Sequence, residues 1–212
     1  MTARASVGTK RDLYREHKDE YRATAVPSKI QVGPAVYLTA AGKGTPGGPE
    51  FGAAIGSLYR MAYTLKFRHK AKGRDFKVAG LEGLWDRPPH SGRVRKAELA
   101  TLPWRLVLRV PEYVTKADLN AARRRLTEKG GAPPTVLTLE RLREGTCIQM
   151  LHIGPYSKEP LSVKAMEAAA HMGGLSLKGP LHEIYLSDPN RVLPSKLRTI
   201  LRIPTRKAGE TS

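Results

Sequence analysis

Two glutamates stand close to aromatic residues in short apolar segments, and a carboxylate in such surroundings has the chemistry of a general base. In HEIYLSD, the alternation of a β-strand places Glu183 and Tyr185 on one face and Ile184 on the other. In LEGLW, Glu82 precedes Trp85 by three positions. Burial among apolar groups raises the pKa of a carboxyl, so either glutamate is a candidate to deprotonate a water molecule.

The pattern leaves alternatives open for both glutamates. Glu183 fits a cleft carboxylate, but a solvated face of an antiparallel sheet would alternate in the same way. Glu82 and Trp85 would lie on opposite faces of a regular strand, unless a bulge at Gly80 or Gly83 brings them together. The sequence does not decide which glutamate is the base.

Three further residues are candidates for the same site. His152 and Tyr156 belong to HIGPY, where a strand ends in a Gly-Pro turn. His152 fits either a general base or a polar residue at a strand end, whereas a tyrosine in a turn beside a rigid strand is typical of ligand contacts. Tyr63 lies on a predicted helix and fits either the core or the edge of a cleft.

Composition narrows the class of protein. The 37 Lys and Arg residues outnumber the 19 Asp and Glu residues, which gives a net charge of +18. The charge is spread along the chain without a known nucleic-acid motif, so we expect a solvated basic surface and no specific nucleic-acid partner. A single Cys147 and the six histidines lack metal-ligand spacing, so no metal or other cofactor is expected.

The chain also lacks the features of a membrane or exported protein. It has no run of roughly 18 apolar residues and no apolar segment of signal-peptide length at its start, so we expect a cytoplasmic protein without a membrane partner.

Strands and helices alternate in an order that occurs twice. The motif R-x-x-L-R-V/I-P is found in WRLVLRVP and LRTILRIP, and Arg109 and Arg202 occupy the same place in it. Each motif ends a predicted β-α-β-β unit. We therefore predict an α+β fold of duplicated β-α-β-β units with pseudo-twofold symmetry, antiparallel sheets, helices on one face and a ligand cleft between the halves. Glu82 and Glu183 are expected at corresponding places facing that cleft.

The predicted elements have recognisable ends. A long helix begins at Pro49, and a second is capped by Thr115 with Asp118 three residues on. The segment FKVAGLEGLW is predicted to be one strand. The domain boundaries follow: an N-terminal arm at 1–28, one domain at 29–205 with repeats 29–111 and 146–205, a helical linker at 112–145 and a tail at 206–212.

On these residues the chain resembles the GyrI-like family of small-molecule-binding proteins. The resemblance rests on LEGLW, HIGPY with the following EP, HEIYLSDP and LRTILRIP, and it is closest to stand-alone members. It implies that Glu183 recognises aromatic ligands in the cleft. It also implies an aromatic cage, for which Trp85, Tyr156, Tyr63 and Tyr185 are the candidates. Asp86 follows LEGLW where the family pattern implies a second aromatic residue.

The resemblance further implies a reaction, because some stand-alone members hydrolyse the cyclopropane ring of DNA-alkylating natural products. The expected partner is therefore an aromatic or cyclopropane-bearing small molecule. Glu183, Glu82 and Tyr156 are the expected catalytic residues, and Trp85, Tyr63, Tyr185 and His152 are the expected ligand contacts. Two other hypotheses remain open, a binding or sensor module without turnover and a nucleic-acid-binding protein.

Overall fold

The computed structural model describes residues 9–86, 96–130 and 135–209. Within these ranges the chain forms four α-helices and nine β-strands. The helices are α1 (Leu13–Glu16), α2 (Pro49–Lys70), α3 (Lys116–Glu128) and α4 (Glu159–Met172). The strands are β1 (Ser28–Val32), β2 (Ala35–Lys43), β3 (Glu82–Trp85), β4 (Pro103–Val110), β5 (Leu137–Leu142), β6 (Gly145–Ile153), β7 (Leu175–Leu177), β8 (Leu181–Tyr185) and β9 (Arg198–Lys207).

The strands form one antiparallel sheet in the order β1-β6-β9-β8-β3-β4-β2-β5, and β7 pairs with β9. The unit β2-α2-β3-β4 places its last strand between the other two, and the unit β6-α4-β8-β9 does the same. The two units meet where β3 pairs with β8, a junction called the seam below. The predicted α+β fold of duplicated β-α-β-β units is confirmed.

Each unit is completed by a strand that precedes the other unit. Strand β1 comes just before the first unit but pairs with β6 of the second. Strand β5 comes just before the second unit but pairs with β2 of the first. This exchange interlocks the halves, because neither unit has its full set of strands without a segment next to the other.

One face of the sheet carries the main hydrophobic core, and α2 and α4 cover it. Leu58 and Met61 of α2 and Met166 of α4 are fully buried there, together with Leu108 and Leu201 of the sheet. Burial of such side chains stabilises the fold by about 1.5–3 kcal/mol each. This surface is called the helix face, and the opposite surface is called the arm face.

The repeated motif is explained by strand alternation. In β4 and β9 the motif leucines Leu108 and Leu201 point to the helix face. The next residues, Arg109 and Arg202, therefore point to the arm face, where each is buried. The duplicated motif thus places a leucine on the helix face and an arginine on the arm face of each unit.

The predicted helix starts are confirmed. Helix α2 begins at Pro49, and Thr115 and Asp118 form the reciprocal capping box of α3. None of the helices in the described parts of the chain is long and apolar enough to cross a membrane.

Two sequence-based expectations differ from the structure. The segment FKVAGLEGLW forms a strand only over Glu82–Trp85, and Phe76 makes an isolated bridge to Arg11 instead. The predicted helical linker also contains β5, because a free sheet edge was available beside β2. The arm packs into the fold, since Leu13 and Tyr21 are buried. Residues 1–8 of the arm, 131–134 of the linker and 210–212 of the tail lie outside the described residues.

Candidate functional site

Strand β8 divides its side chains between the two faces of the sheet, as the alternation in HEIYLSD predicts. Glu183 is opposite Gly83 of β3 and Leu201 of β9, on the helix face. Tyr185 shares that face, whereas His182 and Ile184 point to the arm face. The helix-face side chains beside the seam, which the sequence analysis expects to line a ligand cleft, form the candidate site and are called the cleft below.

Glu183 is a buried carboxylate with one oxygen held in place. Its side chain is only 3% exposed, and its Oε2 accepts a 2.7 Å hydrogen bond from the Tyr185 hydroxyl. Its Oε1 is buried and accepts no hydrogen bond from a donor among the described residues. Burial raises the pKa of Glu183 and outweighs the hydrogen bond from Tyr185, which lowers it. Glu183 therefore has one oxygen, Oε2, held by Tyr185 and a second, Oε1, available to accept a proton.

A second buried carboxyl lies beside it and was missed in the sequence. Glu159, the first residue of α4, is 2% exposed. Burial and the neighbouring Glu183 raise the pKa of Glu159. Ionisation of either carboxyl disfavours ionisation of the other, so at least one member of the pair retains its proton to a higher pH than an exposed glutamate does. The sequence signal for Glu159 is the Glu-Pro pair that follows HIGPY, because a proline there marks the start of a helix close to the end of a strand.

Aromatic rings lie near the carboxyl pair. Trp85 is 2% exposed and stacks on Phe51 of α2 with ring centroids 6.1 Å apart. Tyr156, half-buried in the turn before α4, packs edge-on against Tyr185 at 6.0 Å. Aromatic rings near Glu183 are flat apolar surfaces of the kind that recognise aromatic ligands.

Gly83 makes room for the polar ends of two of these rings. A Cβ atom at this position would lie 2.7 Å from the Tyr185 hydroxyl and 3.0 Å from Trp85 Nε1. The hydroxyl and the indole N–H therefore converge over a backbone that has no side chain. A glycine here has a steric reason, independent of backbone flexibility.

The expectation that Glu82 shares the cleft with Glu183 is wrong. Glu82 pairs with Ile184, so it points to the arm face, and no bulge brings it beside Trp85. The repeat explains the error. Val107, which lies opposite Glu82, occupies the same place in WRLVLRVP as Ile200 does in LRTILRIP. Ile200 pairs with Ile184. The counterpart of Glu82 is therefore Ile184, one position beyond Glu183.

His152 and Tyr63 make other contacts. Both ring nitrogens of His152 have partners, Ser162 Oγ at 2.9 Å and the Pro155 carbonyl oxygen at 3.2 Å. His152 thus connects the turn before α4 to the helix itself. Tyr63 is 48% exposed on α2, and its described ring contact is with Phe67 at 6.4 Å. The cleft therefore brings together Glu183, Tyr185, Trp85 and Tyr156 of the predicted site.

Comparison with known proteins identifies the family. The small-molecule-binding domain described as GyrI-like matches residues 126–206. The crystal structure of a conserved protein from Listeria innocua is 35% identical, covers 93% of this chain and 100% of its own, and superposes with a TM-score of 0.83. This chain belongs to the GyrI-like family.

Other solved structures show the same fold. A crystal structure described as a hydrolase from Listeria innocua is 33% identical over 93% of this chain and 100% of its own, with a TM-score of 0.85. The C-terminal domain of EcmrR, 10% identical over 86% of this chain and 98% of its own, shares the fold with a TM-score of 0.53. No curated protein matches this GyrI-like sequence.

The carboxyl pair should make this GyrI-like protein less stable as the pH rises. A carboxyl whose pKa is raised by folding contributes full stability below its ordinary pKa of about 4.5, and that contribution falls as the pH rises towards the folded-state pKa. Glu159→Gln cannot ionise, so it should raise the free energy of unfolding by about 1–3 kcal/mol at pH 8 and by little at pH 4.

Calorimetry of both proteins across this pH range measures the effect. Glu167→Gln, on the exposed side of α4, is the matched control and should change neither value. A Glu159→Gln protein less stable than the natural chain at pH 8 would show that Glu159 is ionised and stabilising.

Proposed function

We propose that this GyrI-like protein binds hydrophobic aromatic small molecules in the cleft and hydrolyses them. The observation that carries the proposal is the buried Glu183–Glu159 pair beside Trp85, Tyr185 and Tyr156. Two adjacent buried carboxyls would only destabilise a core with a purely structural role, because their burial opposes folding. Such pairs with shifted pKa values are typical of sites for general acid and base chemistry.

The proposed reaction opens a strained ring conjugated to a carbonyl group, for example the cyclopropane of a DNA-alkylating natural product. Glu183 Oε1 takes a proton from water while the water oxygen bonds to a ring carbon. The ring C–C bond breaks, and its electron pair moves through the conjugated system to the carbonyl oxygen. The protonated Glu159 supplies the proton that this oxygen gains, and Tyr156 donates a hydrogen bond to it.

The proton balance of this scheme closes within the carboxyl pair. Glu183 gains one proton and Glu159 loses one, so a single transfer between neighbours restores the starting state. The substrate gains one molecule of water. Neither a covalent enzyme intermediate nor a redox partner is needed, and the product has lost its alkylating ring, which would protect the cell.

Two observations support a hydrolase rather than a binding module alone. Glu183 has one oxygen oriented by Tyr185, and the other has no hydrogen-bond partner in the described parts of the chain, which suits proton transfer. Two similar structures from Listeria innocua, 33% and 34% identical, are described as hydrolases. A binding or sensor module without turnover is the alternative.

Incubation with a panel of cyclopropane-bearing and cationic aromatic compounds tests the proposal. Mass spectrometry should show the addition of one water to at least one cyclopropane-bearing compound. Compounds that bind and compete with one another without any addition of water would establish the binding module instead. Compounds that neither bind nor react would exclude both functions for this cleft.

Trp85→Ala should weaken binding more than it slows the chemical step. The indole is buried against Phe51 and forms one wall of the cleft, so its loss removes stacking worth on the order of 1 kcal/mol or more. Titration calorimetry with a bound aromatic compound measures this loss. Trp104→Phe, a change at the chain's other tryptophan, is the control. An unchanged affinity in Trp85→Ala would remove Trp85 from the ligand site.

A further inference from the structure

A group of buried charged side chains lies on the arm face, directly behind the cleft. Its members carry three carboxylates, two guanidinium groups and one imidazole, and are called the charge cluster: Glu20, Glu82, Arg109, Glu144, His182 and Arg202. Tyr14 and Tyr21 of the arm stack on each other at 3.8 Å and close it off. None of these groups has a part in the proposed reaction.

His182 is the link between two of the carboxylates. Its Nε2 is 2.8 Å from Glu82 Oε2, and its Nδ1 is 3.0 Å from Glu144 Oε1. The ring is fully buried. Burial alone would lower the pKa of His182, but Glu144 and Glu82 outweigh it and raise the pKa to about 9. Both ring nitrogens therefore carry protons and donate at neutral pH.

With His182 protonated, the charge cluster is electrically balanced. Arg109 contacts Glu20 at 2.5 Å, and Arg202 contacts Glu144 at 2.9 Å. Three positive groups thus face three carboxylates. Loss of the imidazolium would leave a buried anion without a counter-charge, which is far more costly than the loss of an uncharged contact.

The position of His182 connects the charge cluster to the cleft. In the sheet His182 pairs with Leu84 of β3, at the seam between the two units. Glu82 belongs to the first unit, and Glu144 lies in the turn that enters β6 of the second. The next residue along β8 is Glu183, whose side chain points to the opposite face of the sheet, the helix face. The backbone that His182 holds is therefore the backbone that carries Glu183.

We propose that His182 is a positioning residue for Glu183. Its cationic ring bridges Glu82 and Glu144, fixes β8 across the seam, and so sets the Glu183 carboxylate against Tyr185 and Trp85. This inference rests on the proposed function for its effect on turnover, but its effect on cleft geometry is measurable without any substrate.

The proposal makes charge, rather than ring shape, the essential property. His182→Gln removes the cation and leaves three carboxylates facing two arginines. Adding Glu82→Gln to the same chain restores the balance at two and two. If charge is essential, the double variant resembles the natural protein more closely than His182→Gln does. If only the shape of the imidazole matters, the double variant should differ from the natural protein more than His182→Gln does.

The indole N–H signals report cleft geometry directly. The chain has two tryptophans, so a nitrogen–proton correlation spectrum shows two indole signals, of which Trp104 serves as internal reference. The Trp85 signal should shift or broaden in His182→Gln and return towards its natural position in the double variant. Tyr37→Phe is the matched control. Tyr37 is buried on the same face, 6.2 Å from His182, and its hydroxyl has no hydrogen-bond partner among the described residues.

Turnover on a confirmed substrate should follow the same order. His182→Gln should lower kcat roughly 10- to 100-fold with little change in KM, because Glu183 is misplaced while the aromatic walls remain. The kcat of the double variant should be at least about tenfold higher than that of His182→Gln. An unmoved Trp85 signal in His182→Gln, or a double variant no better than the single one, would overturn the proposal.

Two further outcomes are also decisive. If His182→Gln does not fold, the double variant should fold, and its failure to do so would overturn the role of charge. If the natural protein turns over no compound, the proposed function fails, but the indole signals still test the positioning role of His182.

Discussion

Replacing Glu183 with glutamine should lower kcat by roughly two to four orders of magnitude on a confirmed substrate. Glutamine keeps the size of the side chain and a group that accepts the Tyr185 hydrogen bond, but it cannot take a proton from water. Affinity for a neutral aromatic ligand should change little, because the walls of the cleft are intact. Steady-state kinetics and a separate binding titration measure the two effects.

The control for this prediction is Glu167→Gln, an exposed glutamate on α4. It removes the same charge from the chain without touching the cleft and should keep natural turnover. Circular dichroism should show natural secondary structure in both variants. Full turnover in Glu183→Gln would assign the proton transfer to another group, and Glu159 would be the next to test.

Arg202→Gln should destabilise the folded protein by about 3–5 kcal/mol. Arg202 is fully buried and donates to Glu144 at 2.9 Å and to Gln149 at 2.8 Å, and also to the Glu20 carbonyl oxygen. Burial alone would raise the pKa of Glu144, but His182 and Arg202 hold it at about 2. Removing Arg202 therefore leaves the ionised Glu144 with one counter-charge fewer. Urea unfolding at neutral pH measures the loss.

The repeated motif itself supplies the control. Arg198 is the first arginine of the motif that contains Arg202, lies on the same strand, and is exposed. Arg198→Gln should change the free energy of unfolding by less than about 0.5 kcal/mol. Equal effects of the two substitutions would mean that the charge cluster contributes no more than a surface residue does.

Local sequence determined the elements and the duplication. Prolines and the Thr115 capping box set helix starts, because they act on backbone groups within one turn. The R-x-x-L-R-V/I-P motif predicted two equivalent units, because an inherited repeat carries its strand order with it. Alternation in HEIYLSD placed Glu183 and Tyr185 together, since the period of a strand is fixed by its geometry.

Tertiary structure alone decided which of these residues meet. The period of a strand shows which side chains share a face, but not the register with the next strand, and the register at the seam put Glu82 behind the sheet. Glu159 comes close to Glu183 because α4 packs on β6 of the same unit, a tertiary contact that no local pattern specifies. The arm is rich in polar and charged residues, yet Glu20 and Tyr21 are buried. Their partners, Arg109 and Glu82, are more than 60 positions away in the chain, so no local pattern could indicate them.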